Sequence, residues 1–249
     1  METDHKRLGA GRAEAVQKML AGMCREGMDM STQERAGDVT FPLAFCDRLR
    51  MATDGAGVTA LVGAYGCPLQ CKLCINPQTW HERADGKPPF ERVTPAGLCD
   101  RVKIDNLYYL ATGGGITFGG GEPLLHTDFI AAFRALCPKE WHIYAETCLH
   151  IPQKHVVAAA ELVDWFFVDI KDMDPAVYQA YTGRDNALVK ENLALLLSLV
   201  GPDRVTVRVP HIPGFNTDTH VEASVAELSA MGVTKLDVFT YKDPAERGK

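Results

Sequence analysis

The sequence predicts an α/β protein: an incomplete (β/α)6 barrel of TIM-like architecture, preceded by an N-terminal extension. Short β-rich runs alternate with amphipathic helical patterns along most of the chain. This alternation is typical of a parallel sheet whose strands are joined by right-handed crossovers. No GxGxxG motif follows the first strand, which disfavours a dinucleotide-binding sheet.

The length of 249 residues fits one domain of this kind and a short appendage. We place the extension at residues 1–45, with a predicted helix over 12–24, and the barrel domain at 46–249. The formal net charge of -6 disfavours a nucleic-acid or membrane-surface partner. The N-terminus has no long apolar run, so we expect no membrane segment and a cytoplasmic protein with reduced cysteines.

Six strands and six helices follow in order. The strands are predicted at 57–65, 114–120, 141–147, 165–171, 204–210 and 235–241. The helices are predicted at 94–111, 126–137, 152–163, 175–181, 187–200 and 217–231. Thr94-Pro95 and Asp174-Pro175 each place a capping side chain before a helix-starting proline. In this architecture the functional site lies at the carboxyl ends of the strands.

Three cysteines, Cys67, Cys71 and Cys74, follow the first strand as CxxxCxxC. Thiolates are soft ligands that select zinc, copper(I) or iron–sulfur clusters. Structural zinc usually has two separated ligand pairs, although Cys24 or Cys46 would be available as a fourth ligand. A [4Fe–4S] cluster normally takes four cysteines, so three would leave one iron open to a small molecule. The residues alone leave both kinds of centre open.

A glycine-rich stretch, "GGGITFGGGEPLL" (113–125), covers the second strand and its carboxyl end. It lacks the GxxxxGK[ST] pattern of a phosphate loop. Glycines at a strand end allow a ligand to approach the backbone closely. The residues alone leave open both a tight turn and a ligand-binding site at this position.

Charged side chains stand at the ends of the later strands. Asp169 and Lys171 are two residues apart, so they point to the same side of their strand. Glu146 and Thr147 end the third strand, and Arg208 lies on the fifth. A buried ion pair or a solvated rim is one interpretation. Burying charge is costly unless it is paired or used, so a polar site at the mouth of the barrel is the other.

A CxxxCxxC motif after the first strand of a βα barrel resembles the radical S-adenosylmethionine (SAM) superfamily. Other stretches resemble one branch of it, the glycyl-radical-enzyme activating enzymes. These stretches are "CINPQTW", "GGGITFGGGEPLL", "FVDIKDMDPAVYQAYTG", "NALVKENL" and "VRVPHIPGFN". The resemblance implies that the three cysteines hold a [4Fe–4S] cluster, on which SAM is reductively cleaved. The resulting 5′-deoxyadenosyl radical would abstract a hydrogen atom from a glycine of a partner glycyl radical enzyme.

The resemblance also implies roles for single residues. The cofactor-binding residues it implies are Leu73, Ile75, Gly120, Gly121, Glu122, Asp169, Lys171 and Arg208. Glu146, Thr147 and Asp169 would bind a sodium or potassium ion. No general acid or base is implied, because the step moves a hydrogen atom. A reduced flavodoxin or ferredoxin is the implied electron donor.

Two alternatives stay open at this point. One is another radical SAM enzyme that acts on a small molecule or a different peptide. The other is a non-enzymatic zinc or iron–sulfur binding module. Leu73 stands where the family usually has an aromatic residue, and no cysteine-rich insertion for further clusters follows the trio. We interpret Cys99, Cys137 and Cys148 as packing residues.

Overall fold

A computed structural model describes residues 39–51, 53–82, 86 and 88–241. The chain divides into two compact units, Met1–Val39 and Thr40–Lys249, and the described residues belong almost entirely to the second. The predicted helix at 12–24 lies outside the described residues, as does Cys24. The N-terminal extension therefore stays a prediction.

The described strands form one open sheet. They are β1 (Phe41–Met51), β2 (Val58–Ala64), β3 (Glu91–Val93), β4 (Gly115–Gly120), β5 (His142–Thr147), β6 (Trp165–Asp169), β7 (Val205–His211) and β8 (Leu236–Thr240). Their order is β3-β1-β2-β4-β5-β6-β7-β8. The six strands from β2 through β8 in this order are parallel, which confirms the six predicted strands and the incomplete barrel.

The helices lie between the parallel strands in the chain. They are α1 (Pro95–Val102), α2 (Asn106–Thr112), α3 (Thr127–Leu136), α4 (Gln153–Leu162), α5 (Pro175–Thr182), α6 (Ala187–Val200) and α7 (Asp218–Ala230). Both predicted caps are confirmed: Thr94 accepts from the Gly97 amide, and Asp174 accepts from the Ala176 and Val177 amides. None of these helices is long and apolar enough to cross a bilayer.

The helix predicted over 94–111 is instead two helices, α1 and α2, joined by a 3-10 turn at Lys103–Asp105. The buried carboxylate of Asp105 explains the break. Its two oxygens accept from Arg48 on β1 at 2.5 and 2.8 Å. This tertiary ion pair holds the turn against the sheet, and the local sequence pattern carries no sign of it.

Two strands, β1 and β3, were not predicted. Both are antiparallel to their neighbours: β1 pairs with β2 on one side and with β3 on the other. Residues 41–45, which the sequence analysis places in the extension, form the start of β1. Phe41 is fully buried against Phe118, with ring centroids 5.8 Å apart. The strands were predicted from the alternation of strands and helices. β1 and β3 are antiparallel and lie outside that alternation, so it could not predict them.

The core lies along the middle of the sheet. Every residue of β2 is buried, as expected for a strand covered on both faces. β8, at the edge, has no buried residue. The carboxyl ends of the parallel strands meet along one side of the sheet, and the cysteine-containing loop leaves β2 on that side.

Candidate functional site

A cavity of about 670 Å³ opens at the carboxyl ends of the parallel strands. This volume lies within the range of small-molecule sites in proteins. The cavity brings together most of the predicted site residues: Cys67, Cys71, Cys74, Ile75, Gly120, Gly121, Glu146, Thr147, Asp169, Lys171 and Arg208. Leu73 and Glu122 are not among the lining residues. The cysteine loop and the ends of four strands, β4 to β7, thus converge on one site.

The end of α5 holds the cysteine loop in place. The amide of Gln70 donates to the carbonyl of Thr182, and the amide of Lys72 donates to the carbonyl of Tyr181, each over 3.1 Å. Arg184 Nε donates to the carbonyl of Pro68 over 3.2 Å. Three contacts therefore fix the loop between the first and third cysteines.

The three loop cysteines are free thiols, each partly exposed to the cavity. Burial raises the pKa of the Cys71 thiol to about 12. A hydrogen bond with Cys148 lowers the pKa of the Cys67 thiol. Cys148, which we interpreted as a packing residue, is buried but also lines the cavity.

The donor set favours a cluster over a single ion. A mononuclear zinc site needs its ligand atoms about 2.0–2.3 Å from one point. Among the residues that the structure describes, no three His, Cys, Asp or Glu side chains converge in that way. Three thiols line the cavity, and thiolates are the ligands of a [4Fe–4S] group held by three cysteines.

The end of β4 turns tightly against the start of the cysteine loop. Gly120 has a φ of +84°, a conformation that glycine adopts readily. A Cβ atom on Gly121 would lie 2.2 Å from the carbonyl oxygen of Gly66. The Gly121 amide donates to the Ala64 carbonyl over 3.0 Å. Only glycine permits this close approach, which leaves the backbone exposed to the cavity.

Glu122 lies behind the cavity wall, and its side chain is fully buried. Its carboxylate accepts from Thr147 Oγ1 at 2.8 Å, from the Cys148 amide at 2.8 Å and from the Leu124 amide at 3.1 Å. Burial raises the pKa of Glu122, and the hydrogen bonds from Cys148 and Thr147 oppose that rise. The side chain therefore links the ends of β4 and β5.

Lys171 stands at the cavity with its ammonium group held by two neighbours. Nζ lies 3.4 Å from Asp169 Oδ2 and donates to Tyr241 Oη over 3.0 Å. Burial lowers the pKa of Lys171, but Asp169, Tyr241 and Cys71 together outweigh this and raise the pKa well above its ordinary value. Lys171 is thus a fixed, buried cation in the cavity wall.

Arg208 and Glu146 form a second ion pair, from β7 to β5, with the Nη1–Oε1 distance at 2.7 Å. Arg208 also donates to the Thr53 carbonyl over 2.7 Å, and its guanidinium lies 4.7 Å from the ring centroid of Phe167. The planar guanidinium of Arg208 thus makes an ion pair, a hydrogen bond and a cation–π contact at the same time. The strands on either side of β6 are therefore connected across the cavity.

Several cavity residues were missed by sequence reasoning. Arg50 of β1 pairs with Asp54, with Nε 2.5 Å from Oδ2. Other missed lining residues include Asp47, Thr53, Cys148, Tyr181, Asp237, Phe239 and Tyr241. The residues on β1 escaped notice because that strand was not predicted. Tyr181 lies within "FVDIKDMDPAVYQAYTG", one of the stretches that carry the family resemblance. The direction of its side chain, however, depends on the packing of α5.

A family model described as "Radical SAM superfamily" matches residues 61–224. This chain belongs to the radical SAM superfamily. Members of this radical SAM family use SAM and a [4Fe–4S] cluster, in agreement with the donor set described above. The matched segment runs from β2 to α7 and includes the cysteine loop, the glycine stretch and both ion pairs.

Two activating enzymes and one solved structure are similar to this chain over about three quarters of its length. The isethionate sulfite-lyase activating enzyme of Oleidesulfovibrio alaskensis is 27% identical, over 76% of this chain and 79% of that protein. The 4-hydroxyphenylacetate decarboxylase activating enzyme of Clostridioides difficile is 26% identical, over 76% and 78%. The solved structure of Streptococcus suis SuiB bound to precursor peptide SuiA gives a TM-score of 0.55 at 10% identity, covering 74% of this chain and 39% of that one. That likeness concerns the radical SAM fold alone.

Proposed function

We propose that this chain activates a glycyl radical enzyme by abstracting a hydrogen atom from one of its glycines. The observation that carries the proposal is a single cavity that combines three thiols, a glycine-lined strand end and two fixed ion pairs. The similarity to activating enzymes over three quarters of the chain supports the choice of partner. Because the step moves an atom, no general acid or base is needed.

Cys67, Cys71 and Cys74 would hold the [4Fe–4S] cluster in this proposal. When bound, the cluster and SAM supply a 5′-deoxyadenosyl radical for hydrogen abstraction. The contacts from Thr182, Tyr181 and Arg184 to the loop support this role, since they fix the loop before any ligand binds. The cavity wall would keep water away from the reacting atoms.

The polar side chains would orient SAM. We propose that the backbone at Gly120 and Gly121 binds its amino group, and that Lys171, held by Asp169, binds its carboxylate. Arg208 would contact SAM or the incoming peptide. Ile75, which is 59% exposed at the cavity, offers an apolar surface for the adenine.

Two residues act less directly in the proposal. Glu122 is fully buried behind the cavity wall, so its side chain would act on the ligand through Thr147 and Cys148. Leu73 is the second apolar residue proposed beside the adenine. It does not line the cavity, so its contact would need a shift of the loop on binding.

A monovalent cation, sodium or potassium, is part of the proposal. Glu146, Thr147 and Asp169 offer oxygen atoms at the ends of two neighbouring strands, and all three line the cavity. Oxygen ligands suit hard cations. Reduced flavodoxin or ferredoxin would supply the electron. We place the reaction in the cytoplasm, where thiols stay reduced.

The test is anaerobic reconstitution with iron and sulfide, followed by reduction in the presence of SAM. We expect about four irons per chain, formation of 5′-deoxyadenosine and, with a co-encoded glycyl radical enzyme, a glycyl radical signal in the EPR spectrum. Cys71→Ala should lose iron, whereas Cys99→Ala, remote from the cavity, should keep it. 5′-Deoxyadenosine without any glycyl radical would indicate a different radical SAM reaction. Bound zinc with no SAM cleavage would indicate a binding module.

A further inference from the structure

Tyr181 presents an unpaired hydroxyl group at the cavity. Its side chain is 1% exposed, and it lines the cavity beside Cys71 and Cys74. Its hydroxyl has no hydrogen-bond partner among the described residues. Buried tyrosine hydroxyls normally find a partner, and an unpaired one is costly. Because Tyr181 also lines the cavity, its hydroxyl is available to a group that enters there.

The backbone of Tyr181 sets where that group lies. Its carbonyl accepts from the Lys72 amide, and the carbonyl of Thr182 accepts from the Gln70 amide. Tyr181 is thus fastened to the loop that carries the cysteines. The hydroxyl therefore lies at the cysteine end of the cavity, where a tyrosine in its ordinary neutral form can donate one hydrogen bond.

Other polar groups nearby already have partners. Lys171 bonds to Tyr241 Oη and is paired with Asp169. A neutral tyrosine offers one donated hydrogen, so the entering group must supply an acceptor. Cys71 and Cys74 line this end of the cavity, so a group held by these cysteines would bring sulfur acceptors to it.

We propose that the Tyr181 hydroxyl donates a hydrogen bond to a sulfur of the group held by Cys67, Cys71 and Cys74. This inference rests on the cysteine assignment in the proposed function. Hydrogen bonds to the sulfurs of an iron–sulfur cluster help to set its reduction potential. A donated hydrogen bond stabilises the more negative, reduced state, so Tyr181 makes the cluster easier to reduce.

The test compares Tyr181→Phe with the wild type in an EPR-monitored redox titration of the reconstituted protein without SAM. We expect the ratio of reduced to oxidised cluster at a fixed solution potential to fall three- to tenfold in the variant. A tenfold fall corresponds to a shift of about 59 mV for a one-electron couple. Tyr109→Phe is the matched control. Tyr109 is also buried with an unpaired hydroxyl but does not line the cavity. The reduction potential of the cluster in Tyr109→Phe should therefore equal the wild-type value.

A second measurement separates the local effect from a folding defect. In the iron-free protein Tyr181→Phe should leave the melting temperature unchanged or raise it, because it removes an unpaired hydroxyl. An equal potential in Tyr181→Phe and the wild type would refute the inference. So would the same shift in Tyr109→Phe, a shift seen only with SAM, or a lower melting temperature of the iron-free variant. Absence of iron from the wild type would instead refute the cysteine assignment beneath it.

Discussion

The hydroxyl of Thr147 contacts both carboxylate oxygens of Glu122, at 2.8 and 3.0 Å. This pair joins the carboxyl ends of β4 and β5 behind the cavity wall, and the Cys148 amide completes it. Glu122, one of the cofactor-binding residues that the resemblance implies, thus uses its side chain to connect two strand ends.

Glu122→Ala should destabilise the iron-free protein. The change leaves the Thr147 hydroxyl and the Cys148 amide without an acceptor, and hydrogen bonds to charged groups contribute about 1.5–3 kcal/mol each. We expect a loss of about 3 kcal/mol in the free energy of unfolding, measured by urea denaturation. Glu161→Ala, on α4 and exposed, is the control and should change stability by less than about 0.5 kcal/mol. A loss as small as that of the control would contradict the role of Glu122.

The protonation of Glu122 should contribute to the pH dependence of the free energy of unfolding. Burial raises its folded-state pKa above the ordinary value of 4.5, so the folded state holds the proton more tightly than the unfolded state. Stability should therefore fall as pH rises from 4.5 through the folded pKa. Urea titrations across this range should show a flatter slope for Glu122→Gln than for the wild type.

Asp174 provides a contrast of opposite sign. Hydrogen bonds from the Val177 and Ala176 amides lower its pKa, so its contribution is present above the unfolded pKa and is lost as pH falls through the folded value. Asp174→Asn should therefore flatten the acid side of the profile. Identical profiles for Glu122→Gln and Asp174→Asn would contradict the two assignments.

Removing only one charge of the Arg208–Glu146 pair should lower the free energy of unfolding more than removing both charges. Arg208→Met leaves a largely buried carboxylate unpaired, and breaking a buried pair in this way costs about 3–5 kcal/mol. The double variant Arg208→Met, Glu146→Gln removes both charges and should recover most of that loss. A double-mutant cycle by chemical denaturation measures the coupling. Additive losses would mean that the two charges do not interact.

Lys171→Met should weaken SAM binding to the reconstituted protein. The change removes a fixed cation from the cavity wall, and loss of a charge-assisted contact of about 1.4 kcal/mol raises Kd tenfold. Lys190→Met removes a comparable ion pair, with Glu227 at 2.7 Å, outside the cavity. Equilibrium binding should show a higher Kd for the first variant and the wild-type Kd for the second. Equal Kd values for all three proteins would exclude Lys171 from the SAM site.

The parallel core of the fold could be predicted because its signals are local. Each strand–helix repeat carries its own hydrophobic period and, at Thr94 and Asp174, its own cap. β1 and β3 could not be predicted in the same way, since antiparallel pairing at one side of the sheet depends on contacts such as Phe41 with Phe118. The break between α1 and α2 likewise depends on a distant partner, Arg48.

The site shows the same division. Most motif residues line the cavity, because strand ends of a parallel sheet converge whatever the details of packing. The direction of the Glu122 side chain is set by Thr147 on the next strand, and that of Tyr181 by the docking of α5. Neither relationship is visible in a short sequence motif.

The docking of the cysteine loop on the end of α5 has a consequence for cluster assembly. A flexible loop would lose much of its conformational entropy when its cysteines bind a ligand. Here Pro68, Gln70 and Lys72 are already tied to residues 181–184. Much of the loop is therefore ordered when the chain folds. Cluster assembly then costs less conformational entropy, because the loop has few other conformations to lose.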